Sequence, residues 1–130
     1  MNPKYDDYMK PLLELLNNNK TYEKRDIYEI MSRHFNLTDD DMAETIPSGT
    51  QPTYMNRIGW ALTYLKKAKL IESPSRALFK ITERGKDAVK KLPNSIDKSY
   101  LMKYKEFEEF QSNAIVNKDK KAEILDESPE

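Results

Sequence analysis

Apolar positions recur at helical spacing from the start of the chain. Tyr5, Tyr8, Met9, Leu12, Leu13 and Leu16 define a first helix, which Asn17, Asn18, Asn19 and Lys20 bring to an end. Pro11 lies inside that window, so either the helix begins near Asp7 with Pro11 in its first turn, or it is kinked there. Thr21 and Tyr22 read as a brief extended piece. The next periodic run, Asp26 to Phe35, predicts a second helix with Ile27, Ile30, Met31 and either His34 or Phe35 facing inward.

Thr38 followed by Asp39, Asp40 and Asp41 is a helix start, because a hydroxyl cap and first-turn carboxylates both complement exposed backbone amides. A short helix to about Thr45 follows, and PSGTQP forces a turn. From Thr53 to Lys69 the pattern is the strongest in the chain: Tyr54, Ile58, Ala61, Leu62, Leu65 and Ala68 form one apolar stripe. Two short β-prone runs, Leu70 to Glu72 and Leu78 to Ile81, flank SPSRA and predict a hairpin with Arg76 near its tip. Thr82 then caps a helix from Glu83 to Leu92, which Pro93 helps to close.

Beyond Pro93, Tyr100, Leu101, Tyr104, Phe107 and Phe110 line one side of a helix from Ser99 to about Gln111, apolar enough to dock. From Asn117 on, the sequence is polar apart from Ile124 and Leu125, too poor in apolar surface to offset its ordering entropy, and reads as a flexible linker. The expected fold is mostly α with a small β-hairpin: a winged helix-turn-helix over 1–93, a docked helical extension over 94–116 and a flexible tail over 117–130. At 130 residues with 38% hydrophobic composition, one modest core is what the chain can build. The absence of Cys excludes a disulfide framework and thiolate metal sites, and suits a reducing compartment, with the cytoplasm the expected location. No apolar run approaches a membrane span, and MNPKYDDYMK lacks the layout of a signal peptide.

Charge changes the picture. The formal net charge is zero, yet residues 50–93 carry ten Lys/Arg against three Asp/Glu, a local +7 set between acidic ends. Non-specific affinity for nucleic acid comes mainly from neutralised phosphates, so the local excess points to duplex DNA as partner. Helix, helix, turn, helix, hairpin, helix is the order of a winged helix, whose third helix enters the major groove while the hairpin touches flanking backbone. Ser48, Thr50 and Gln51 then lie at a helix N-terminus, where hydroxyls and amides meet phosphate. With Ile58 at the centre of the buried stripe and about 100° of turn per residue, Thr53, Asn56, Trp60 and Lys67 fall on the far side and Arg57 at the border. Asn56 suits an adenine edge and Arg57 a guanine edge, against the plainer reading of solvated surface or phosphate contact. Trp60 and Tyr64 either stack on DNA or, the favoured reading, fill space beneath the wing. Arg76 and Lys80 on the hairpin add a second basic element, which makes an accidental solvated face less attractive as an explanation.

The stretch PSGTQPTYMNRIGWALTYLKKAKLIESPSRALFKITERG closely resembles the N-terminal domain of the Mrr-type restriction endonucleases, enzymes that recognise and cut DNA carrying methylated bases. NRIGWALTYLKKAKLIESP and FKITERG are its distinctive parts, and the likeness runs from about Tyr5 through SIDKSYLMKYKEFEEF. It implies a winged-helix DNA-binding module, with methylated duplex as a candidate target, that precedes a nuclease domain. In that family the nuclease half follows a linker and carries a metal-binding Asp with an acidic or Gln-x-Lys motif. These 130 residues hold no E-x-K or Q-x-K, and their D-x-K, Asp119 to Lys121, falls in the polar tail, so the nuclease is expected to lie outside this chain.

No catalytic residue, metal site or cofactor is expected. His34, the only imidazole, reads as a helix residue, and Asp39 to Asp41 are explained by their helix start without an ion. Two other classes compete with DNA targeting. One is a protein-interaction module, in which the acidic ends pair with the basic face of a second copy to give a homodimer. The other is a free-standing transcriptional regulator, for which Ser99 to Gln111 is the candidate dimerisation helix.

Overall fold

A computed structural model describes residues 2–116, and the expected linker from Asn117 lies outside them. A 3₁₀ turn, Tyr5–Tyr8, leads into α1 (Met9–Leu16), followed by β1 (Tyr22–Glu23), α2 (Lys24–His34), α3 (Asp39–Ala43), α4 (Thr53–Lys67), β2 (Ile71–Glu72), β3 (Leu78–Ile81), α5 (Glu83–Val89), α6 (Lys98–Leu101) and α7 (Lys105–Val116). The strands form one antiparallel sheet in the order β1-β3-β2, with Tyr22 opposite Phe79 and Ile71 opposite Ile81. This is the winged-helix arrangement. The extended piece expected at Thr21 and Tyr22 is a true third strand, one residue later, on the outer edge of the wing.

Pro11 sits in the first turn of α1, where a missing N–H costs no intrahelical bond, so the first of the two readings is the observed one. At the end of α2, the capping residue Phe35 and not His34 turns inward: its ring meets Tyr8 edge to face at 5.0 Å, while His34 is exposed. Thr38 caps α3 with its Oγ1 accepting from the Asp41 N–H at 3.0 Å, and Asp41 returns a carboxylate to the Thr38 N–H.

α4 is the axis of the molecule, and every residue of its predicted apolar stripe is buried. Its end is a Schellman turn built on a left-handed lysine: Lys69 has φ +65°, Leu70 N–H donates to the Leu65 carbonyl and Lys69 N–H to that of Lys66. Leu70 is thereby turned into the core. Its carbonyl accepts from Thr82 N–H at 3.1 Å and from Thr82 Oγ1 at 3.0 Å, which seats the cap of α5 directly on the end of α4.

The single helix expected from Ser99 to Gln111 is instead two, α6 and α7, separated by a turn at residues 102–104. Leu101 and Phe107 are both fully buried. Six residues apart in one continuous helix they would point about 120° away from each other, and the break brings both inward. α7 packs on α4 through Phe107 and Phe110, whose rings stand 5.5 and 6.1 Å from Tyr64. Arg84 clamps the junction, donating to the Ala68 carbonyl at 2.9 Å and to both Glu106 oxygens, and these hydrogen bonds hold the Glu106 carboxyl below the usual carboxylate range. The dimerisation helix a regulator would need is thus packed against its own domain.

Candidate nucleic-acid interface

The loop before α4 is closed on itself. Thr45 bridges Pro52, Ile46 N–H donates to the Gln51 carbonyl, and Gly49 takes φ +78°, a left-handed position that a glycine adopts without strain. Ser48 and Thr50, linked hydroxyl to hydroxyl at 2.9 Å, are held exposed at the N-terminal end of α4. Gln51 beside them is half-buried, its Oε1 accepting from Asn56 Nδ2 at 3.4 Å.

The far side of α4 is not a free surface, and this corrects the sequence reading. Thr53 and Asn56 are only 3% and 8% exposed, so neither is presented to a partner. Arg57 points to the N-terminal segment, donating to the Pro3 carbonyl at 3.0 Å and the Asn2 carbonyl at 3.4 Å. Trp60 is packed against the core 5.6 Å from Tyr64, which is itself 4% exposed and also meets Tyr5. Lys67, though exposed, lies 5.2 Å over the Phe110 ring. The N-terminal segment and α7 cover the side that a single-stripe wheel leaves open.

What α4 does turn outward is a narrower stripe about 95° from Ile58: Met55, Gly59 and Thr63 are partly exposed, and Lys66 is exposed. Two residues on this stripe, Gly59 and Met55, carry no role in the sequence reading. Gly59 leaves a gap that the Lys24 side chain borders, and Met55 reaches a groove of about 590 Å³ shared with Tyr28, Leu37, Met42, Tyr54 and Arg25. The available signal was the run 55, 59, 63 and 66, a helical period of residues that are poor in large apolar groups.

The wing is tied to α2 by its backbone. Lys24 N–H, the first of α2, donates to the Ala77 carbonyl at 2.8 Å, and Ala77 sits at φ +62° next to Arg76 in the exposed tip. That hydrogen bond joins the wing tip to the start of α2, and the Lys24 side chain in turn reaches Gly59 in the middle of α4. Lys80 is half-buried on β3 with Glu72 as its cross-strand neighbour, which tempers its charge. Of the ten basic residues between 50 and 93, Arg57 and Arg84 serve architecture, while Lys86 pairs with Glu83 at 3.0 Å. Lys66 on the outward stripe and Arg76 at the wing tip are exposed and form no ion pair among the described residues.

Comparison with protein families matches residues 5–91 to the Mrr N-terminal domain. The chain belongs to the Mrr N-terminal domain family. The Type IV methyl-directed restriction enzyme EcoKMrr of Escherichia coli (strain K12) is 37% identical over 92 residues, 70% of this chain. This Mrr-family chain spans about 30% of that enzyme's length. No solved structure matches it. Among the described residues no helix is long and apolar enough to cross a membrane, and no three His, Cys, Asp or Glu converge as metal ligands.

Proposed function

We propose that this chain is the duplex-DNA-binding, targeting segment of an Mrr-like modification-dependent restriction system and performs no catalysis itself. The observation that carries the reading is Lys24 of α2, whose N–H holds the Ala77 carbonyl at the wing tip and whose ammonium ends beside Gly59 of α4, because groove entry by a helix and backbone contact by a wing require those elements side by side. Ser48 and Thr50 extend the contact toward phosphate at the N-terminal end of α4, and Arg76 and Lys80 hold backbone from the wing. Asn56 and Arg57, tied into the fold, are structural. A methyl group in the major groove would meet Met55 and its groove, in place of the surface around Thr53, Asn56 and Trp60 that the helical wheel suggested.

Burying one methyl is worth about 0.8 kcal/mol, roughly fourfold in affinity, so modification preference by this segment is expected at tenfold or less. Competition between otherwise identical methylated and unmethylated duplexes, read by fluorescence anisotropy, checks it. Binding to both within that margin is the expected result. Preference far above tenfold would demand an enclosed modification pocket, and failure to bind either duplex at low salt would remove DNA as the partner.

A further inference from the structure

We propose that Lys24, Gly59 and Lys66 form a phosphate cradle on the seam between α2 and α4, which seats one backbone phosphate of the duplex and fixes the register of α4 in the groove. The inference rests on the DNA-binding reading and adds to it a site that charge counting along the chain does not reveal, since Lys24 lies outside the basic stretch.

Lys24 is half-buried and runs across α4 at its one glycine: a β-carbon on Gly59 would lie 3.7 Å from the Lys24 ammonium. Any larger side chain at position 59 would fill the space in which that ammonium ends. The Tyr28 ring lies 5.9 Å from the same nitrogen and flanks it from α2. Lys66 stands about two turns further along α4 on the same outward stripe. Burial first, and then the charge of Lys66, lowers the pKa of Lys24, so two like charges are held in one neighbourhood.

The chain has as many carboxylates as cations, 22 of each, yet among the described residues neither ammonium has one within ion-pairing distance. Glu23, the nearest acidic residue in sequence to Lys24, is engaged by Arg25 at 3.0 Å. A half-buried cation near a second cation, at a gap opened by glycine and with no counter-charge among the described residues, matches an anion brought by the partner. The site lies between the wing tip and the length of α4, where a duplex held by both would pass a phosphate.

The test compares Lys24→Met, Lys66→Met and Lys67→Met in salt titrations of duplex binding. The first two are each expected to reduce the log–log slope by about 1 and to weaken every sequence about five- to tenfold at 0.1 M salt. Lys67→Met removes the same charge one residue along, on the α7 side, and is expected to leave the slope unchanged. Lys24→Arg, which retains charge, is expected to keep most of the affinity and so exclude a folding defect. An unchanged slope in Lys24→Met while the wild type binds would overturn the cradle alone, as would equal losses from all three Lys→Met variants. A wild type that binds no duplex would overturn both the cradle and the DNA reading.

Discussion

Gly85→Ala is expected to cost at least about 3 kcal/mol of folding stability, a large fraction of the roughly 5–15 kcal/mol that domains possess. A β-carbon at this position would strike the Leu70 carbonyl oxygen and come within 2.6 Å of the Ile81 side chain. Backbone cannot yield as a flexible side chain can, and that carbonyl is held by Thr82, the cap of α5. The whole junction of α4, wing and α5 would have to open. Urea unfolding followed by circular dichroism measures the loss, with Gly59→Ala as the paired control. At Gly59 the added carbon makes only an ordinary contact with Lys24, so a helix-propensity gain of up to about 1 kcal/mol is expected. A Gly85→Ala protein as stable as the wild type would mean that α5 does not sit on the end of α4.

Phe107→Ala is expected to cost about 3–5 kcal/mol, the range for a fully buried aromatic. Its ring packs on Tyr64, and removing it leaves the Phe110 ring, 6.1 Å from Tyr64, and the Arg84–Glu106 clamp, 38% exposed on each side, to hold α7. Partly exposed pairs of this kind contribute little, so the clamp is not expected to hold α7 by itself. Hydrogen exchange should show the loss as faster exchange across residues 98–116 and along the Tyr64 face of α4. Unchanged protection there would remove α7 from the fold's cover and return the far side of α4 to solvent.

That covered face explains where the sequence was legible and where it was not. Elements were readable because each carries its own period: the Tyr54 to Ala68 stripe, the Thr38 and Thr82 caps and the Leu78 to Ile81 alternation all reflect local chemistry that neighbours do not override. The outward face of α4 was not readable from Ile58 alone, since a helix with one apolar stripe presents its opposite side to solvent only if nothing else packs there. Trp60 and Tyr64, at i and i+4, form a second stripe, and Phe107 and Phe110, more than 40 residues away, pack on its Tyr64. Read as a pair, these aromatic residues would have moved Trp60 and Tyr64 inward, whereas Thr53 and Asn56 are buried and hydrogen-bonded to Glu44 and Gln51 of the segment before α4. Lys24 escaped for a different reason. Its place at the interface depends on the Ala77 carbonyl of the wing, a contact across more than 50 residues that no local pattern encodes.

Duplex binding through the edge formed by α4 and the wing is tested most directly by the salt dependence of affinity, with the wild type and Arg76→Ala measured on a random-sequence duplex. With roughly four to six phosphate contacts, the wild-type log–log slope is expected near −4 to −5, and Arg76→Ala should reduce it by about 1 on any sequence. Affinity that does not change between low and moderate salt, or a wild-type slope that Arg76→Ala leaves intact, would contradict the account.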